Sequence, residues 1–111
     1  EPLAKLNKEW GDLTMKIGMS SMQNRDEVGS ASVDYLMYSG YVTLAYLWAQ
    51  MAKVAKTNLA SGTTEEDFYG AKVKTARFYF QRILPRTASH AATMVAGADS
   101  LMDLDEEHFA F

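Results

Sequence analysis

A chain of 111 residues, 48% of them hydrophobic and two of them proline, can bury one core and is patterned for helices rather than for disorder. The formal net charge of -3 gives little general attraction for nucleic acid. The lack of cysteine excludes a disulfide, a thiolate metal site and a cysteine nucleophile, and fits a reducing, cytoplasmic setting. The sequence opens at Glu1-Pro2 with no initiator methionine and no signal-like apolar run, so we read residues 1–111 as a single helical domain cut from a longer protein.

From Leu3 to about Gln23, apolar residues fall at Leu3, Leu6, Trp10, Leu13 and Ile17, alternating in steps of three and four. That spacing predicts a helix with a narrow seam for one neighbour. Met15, Met19 and Met22 form a second stripe that predicts burial on two sides at the carboxyl end, most simply as core filler. Gly11 and Gly18, one heptad apart, predict a close backbone approach.

Asn24, with Glu27 three residues on, predicts a capped second helix that runs to about Leu59 and stops at Ala60-Ser61-Gly62. Such a helix would be roughly 50 Å long, so the fold should be elongated unless Ser39-Gly40 bends it. It carries no charged residue from Tyr35 through Ala52. Tyr35, Tyr38, Tyr41 and Tyr46 along that run argue against a membrane span, because buried phenols need hydrogen-bond partners. A helix that is apolar nearly all round belongs at the centre of a bundle, or docks its second face on further protein.

The third segment, Thr63 to Ala98, holds the most continuous pattern of the chain. Val73, Ala76, Phe80, Ile83, Thr87, Ala91, Met94 and Ala98 mark one buried stripe. Thr63 and Glu66 have capping-box spacing at its start. Pro85 lies inside the pattern and predicts a kink between Gln81 and Pro85, a straight helix there costing about 3 kcal/mol. Gly97 ends the stripe, and Asp99 opens a short helical piece. Beyond it the tail from Asp103 is acidic, with Leu104, Phe109 and Phe111 as apolar anchors. The fold class is therefore all-α: an antiparallel up-and-down bundle of three long helices, the third kinked at Pro85, plus a short C-terminal helical piece.

Chemistry is sparse. There is no GxGxxG, no GxxxxGK[ST] and no GxSxG pattern, and His90 and His108 are the only imidazoles. His90 reads as a packed helical residue. Asp105 and His108, at i and i+3, lack the paired Glu-x-x-His motifs of a di-metal bundle. The polar set with most to offer is Lys74, Arg77, Arg82 and Arg86, two basic pairs flanking an aromatic segment. They could clamp the phosphates of coenzyme A, or form salt bridges within the chain or with another domain, the acidic tail included.

The segment Ala76-Arg77-Phe78-Tyr79-Phe80-Gln81-Arg82-Ile83-Leu84-Pro85-Arg86, followed by Ala96-Gly97-Ala98-Asp99-Ser100-Leu101-Met102, resembles the C-terminal helical domain appended to one branch of acyl-CoA dehydrogenases. That branch includes the long-chain-type and 3-methylmercaptopropionyl-CoA dehydrogenases. Ser39-Gly40-Tyr41 and Ala45-Tyr46-Leu47-Trp48-Ala49 of the second helix are similar too. The resemblance implies that the chain is the C-terminal part of an FAD-dependent enzyme that oxidises an acyl-CoA to the 2,3-enoyl-CoA. Its flavin and catalytic glutamate would lie upstream, so no catalytic, cofactor or metal residue is carried over to this chain. The partners implied are the catalytic domains of the same chain, acyl-CoA and a homo-oligomer, without nucleic acid or membrane. Two other readings stay open: a free-standing interaction or dimerisation module built on the Leu3–Ile17 seam, and peripheral membrane attachment through the second helix.

Overall fold

The fold is known from a computed structural model, which describes residues 2–109. Phe111, one of the expected tail anchors, lies outside them. The described residues form helices and turns without a strand, in the order α1 (Pro2–Gln23), α2 (Asp26–Ala60), α3 (Glu66–Phe78), α4 (Thr87–Met94) and α5 (Asp99–Met102). A π turn, Tyr79–Ile83, and a 3-10 turn, Leu84–Arg86, join α3 to α4, and a 3-10 turn, Glu106–Phe109, follows α5. This is the expected all-α architecture.

Helix α2 is the centre, with α1 and the α3–α4 arm both packed on it. It runs unbroken through Ser39-Gly40, and its 35 residues give it a length of roughly 52 Å. The molecule measures 68 × 34 × 15 Å, with a radius of gyration of 19.5 Å against about 13 Å for a compact domain of this size. Most of the chain therefore lies within one helix diameter of solvent, and few positions are fully enclosed.

Those few sit where three helices meet. Ala31, Tyr38, Val42 and Ala45 of α2 are buried with Leu3 of α1, Tyr79, Leu84 of the arm and Met94 of α4. Leu6, Trp10, Leu13 and Ile17 complete the α1 side, which is the seam read from the sequence. Tyr38 is wholly inaccessible and donates its phenol hydrogen bond to Glu9 of α1. Burial first, then the bond to the Glu9 carboxylate and its charge, holds that phenol protonated far above the ordinary tyrosine range.

Two expectations for α1 are corrected. Met15, Met19 and Met22 are exposed, Met22 to 87%, because the rest of the fold packs on the seam side of α1, around Leu13 and Ile17, and leaves this stripe uncovered. Gly11 and Gly18 face open space, and a side chain there would meet nothing within 4 Å. Neither glycine brings two helices of this chain together.

At the α2 start Asn24 Oδ1 accepts from the Asp26 N–H at 3.0 Å in a turn, but the N-cap position is Arg25 and carries no side-chain cap bond, so the expected Asn24 cap is not formed. Glu27 does not return to Asn24. Its carboxylate instead accepts from the Ala98 N–H at 3.4 Å, next to Gly97 at φ +92°, and so ties the end of the arm to α2. At α3 the capping box is absent. Thr63 Oγ1 accepts from the Glu65 N–H at 3.1 Å in a turn, and the helix begins after Glu65.

The Thr63–Ala98 stripe is buried or half-buried at every position named from the sequence, but it is not one kinked α-helix. Pro85 has no N–H for the Gln81 carbonyl, and the chain answers by widening to a π turn and then tightening to a 3-10 turn. The break rotates Tyr79 and Leu84 into the core. Tyr79 Oη then donates to the Tyr41 carbonyl at 2.6 Å.

Burial, with a smaller contribution from Tyr41, pushes the Tyr79 phenol up to about 12. A pKa raised in the folded state means stability that is complete below the unfolded value of about 10 and is lost as pH climbs toward 12. The protein is therefore expected to weaken steeply between pH 10 and 12, and Tyr79→Phe to flatten that loss while costing about 1 kcal/mol at pH 7. Urea melts at pH 7, 10 and 11.5 check both parts.

Candidate docking site

The side of α2 turned away from α1 and α3–α4 is apolar. Val33, Met37, Gly40, Leu44, Leu47, Met51 and Val54 follow one another in strict steps of four and three. All but the glycine are exposed large side chains, with Leu36 beside them. The stripe is roughly 32 Å long. A half-buried helix in water normally presents charge on this side; here charge is missing from Tyr35 through Ala52.

Two open apolar grooves border the stripe. One, of about 580 Å³ between α1 and α2, is lined by Ile17, Gly18, Val28, Tyr35 and Leu36, with Ser39 in its wall. The Ser39 hydroxyl is buried and has no hydrogen-bond partner. Thr14 Oγ1 and Tyr35 Oη are hydrogen-bonded at 2.7 Å along the same groove. The other groove, about 530 Å³ between α2 and α3, is lined by Leu47, Met51, Val54, Phe68 and Tyr69. Lys72 stands at its edge with its ammonium 5.2 Å from the Phe68 ring centre. Stripe and grooves together make a continuous run of exposed apolar side chains along the uncharged part of α2.

Lys74, Arg77, Arg82 and Arg86 are all exposed on the α3–α4 arm, the first two on α3, Arg82 in the π turn and Arg86 in the 3-10 turn. They line neither groove. Among the described residues none of the four forms an ion pair. Every tail residue from Asp99 to Phe109 is exposed.

One polar contact escaped the sequence. His90 of α4 and Asp34 of α2 lie with Nδ1 and Oδ1 2.8 Å apart, both side chains about one-fifth exposed, and the imidazole sits 5.7 Å from the Tyr41 ring. Fifty-six residues separate the pair, and local spacing carries no signal at that range. An aspartate that orients an imidazole is part of a hydrolytic dyad, but no hydroxyl hydrogen-bonds His90 among the described residues. The pair pins α4 to α2. Asp105 and His108 join no group of three or more metal-binding side chains among the described residues. No described helix is long and apolar enough to cross a membrane.

Residues 1–105 match the family described as "Acetyl-CoA dehydrogenase C-terminal like". The chain belongs to this acyl-CoA dehydrogenase C-terminal family. It is also similar to the broad-specificity linear acyl-CoA dehydrogenase FadE5 of Mycobacterium tuberculosis, with 34% identity over 85 residues. That match covers 75% of this chain and 14% of the relative. Within the family fold, the Ala76–Arg86 segment that carried the resemblance is the π and 3-10 break with the turn of α3 before it.

Proposed function

We propose that this chain is the accessory C-terminal domain of an acyl-CoA dehydrogenase-like flavoenzyme, and that it packs on the catalytic body through the outward face of α2. The exposed Val33–Val54 stripe carries the proposal, since a face of that length and composition needs a cover.

In this reading the parent oxidises an acyl-CoA to the 2,3-enoyl-CoA with FAD as hydride acceptor. The residues of this chain do not fit a flavin: no glycine-rich loop meets a helix N-terminus, and the two large grooves are open and apolar, with Lys72 the one charged group in their walls. Flavin and base are assigned to the rest of the parent, and no chemical step passes through this chain. What the domain supplies is buried area and a preorganised wall, which support the oligomer or shape the acyl-CoA entrance. Contact of Lys74, Arg77, Arg82 and Arg86 with further protein, rather than with coenzyme A phosphates, and a cytoplasmic location belong to the same proposal.

The test is to express the whole gene product and record its visible spectrum. A flavin spectrum bleached by an acyl-CoA is the expected result. A product that carries no flavin would leave the free-standing interaction module as the better reading.

A further inference from the structure

The α3–α4 arm and the tail carry two surfaces that match each other and do not meet. On the arm, Lys74, Arg77 and Phe78 lie in the last turns of α3, Arg82 follows in the π turn and Arg86 in the 3-10 turn; all four cations are exposed, and Phe78 is 56% exposed among them. The cations extend over roughly 18 Å of helix, more than one pyrophosphate can bridge at hydrogen-bond distance. On the tail, Asp99, Asp103, Asp105, Glu106 and Glu107 alternate with Leu101, Met102, Leu104 and Phe109, all exposed. Acid and apolar groups on one side thus answer base and aromatic on the other.

Within one chain they stay apart. The Glu27 anchor at Gly97-Ala98 fixes the root of the tail at the far end of α4, and no cation of the arm pairs with a tail acid among the described residues. We infer that the acidic tail, residues 99–109, docks on the basic face around Phe78 of a second copy of this chain. Two copies related by a two-fold axis make the contact twice, which closes the pair without leaving either surface free. Opposite charge steers the encounter, and Phe78 packed on Leu101 or Leu104 provides the apolar centre. The inference does not depend on the flavoenzyme reading.

The test uses two differently tagged copies of the intact protein, one with Phe78→Cys and one with Leu104→Cys. This chain contributes no native cysteine, and each variant alone gives the background. A disulfide-linked species that needs both variants in the mixture is expected. Its yield should fall at least tenfold with Arg77→Glu/Arg82→Glu, or in 0.5 M salt, and return when Asp103→Lys/Asp105→Lys is added. A link formed only when both cysteines are placed in one chain would mean that the tail folds back on its own arm, and would overturn the inference. So would the absence of any link.

Discussion

Replacing Tyr38 by alanine is expected to cost about 3–5 kcal/mol, enough to leave much of the protein unfolded if its stability lies at the lower end, about 5 kcal/mol, of the ordinary range. Tyr38 is the largest side chain enclosed completely, and it stands where α1 meets the middle of α2. In a molecule 15 Å thick there is no second layer to collapse into the cavity, so the loss should lie toward the upper end. The phenol also makes the Glu9 bond that ties α1 to α2. Tyr38→Phe keeps the ring and separates the two parts: it should cost only about 1 kcal/mol, because the exposed Glu9 carboxylate stays hydrated. Melting temperatures measure both, with a drop of at least about 12 °C expected for the alanine variant. A drop of only a few degrees would show that the α1–α2 contact is not organised around this residue.

The sequence made Tyr38 visible as one of several tyrosines in an uncharged run, but not as the enclosed one. Reading succeeded where one helix determines its own pattern. The α1 seam from Leu3 to Ile17 and the stripe from Val73 to Ala98 each depend on neighbours three or four residues away, and each lies where expected. It failed where the answer depends on what lies opposite. Met15, Met19 and Met22 have the spacing of a core face, and only the absence of a helix beside them leaves them in water. Pro85 announced a break, yet its form depends on the Gln81 carbonyl and on the pull of Tyr79 toward Tyr41 in another helix. The His90–Asp34 pair and the Glu27–Ala98 anchor join residues 56 and 71 apart. As for the docking face, the excess of apolar residues on α2 was legible, but the Val33–Val54 stripe emerged only once α1 and the arm had claimed the other sides.

That stripe gives the second large effect. Leu44→Asp/Leu47→Asp should leave the helical domain itself nearly as stable as before, since both side chains stand about half exposed and neither belongs to the buried core. In the intact protein the same change places two carboxylates at the centre of the proposed contact. An unpaired charge there is costly to desolvate, and two lost apolar anchors at about 2 kcal/mol each shift docking by at least about 100-fold. Limited proteolysis in the α2–α3 loop, residues 61–65, and hydrogen exchange along α2 should report the release. A control on another surface, Lys8→Asp, should change neither, because Lys8 pairs only with Asp12 in full solvent. The two outcomes bear on different claims. If the domain itself unfolds, the face is part of the core and the stripe has been misjudged. If the domain stays folded and the intact protein shows the same protection with and without the aspartates, then α2 is covered by nothing, and the body docks elsewhere.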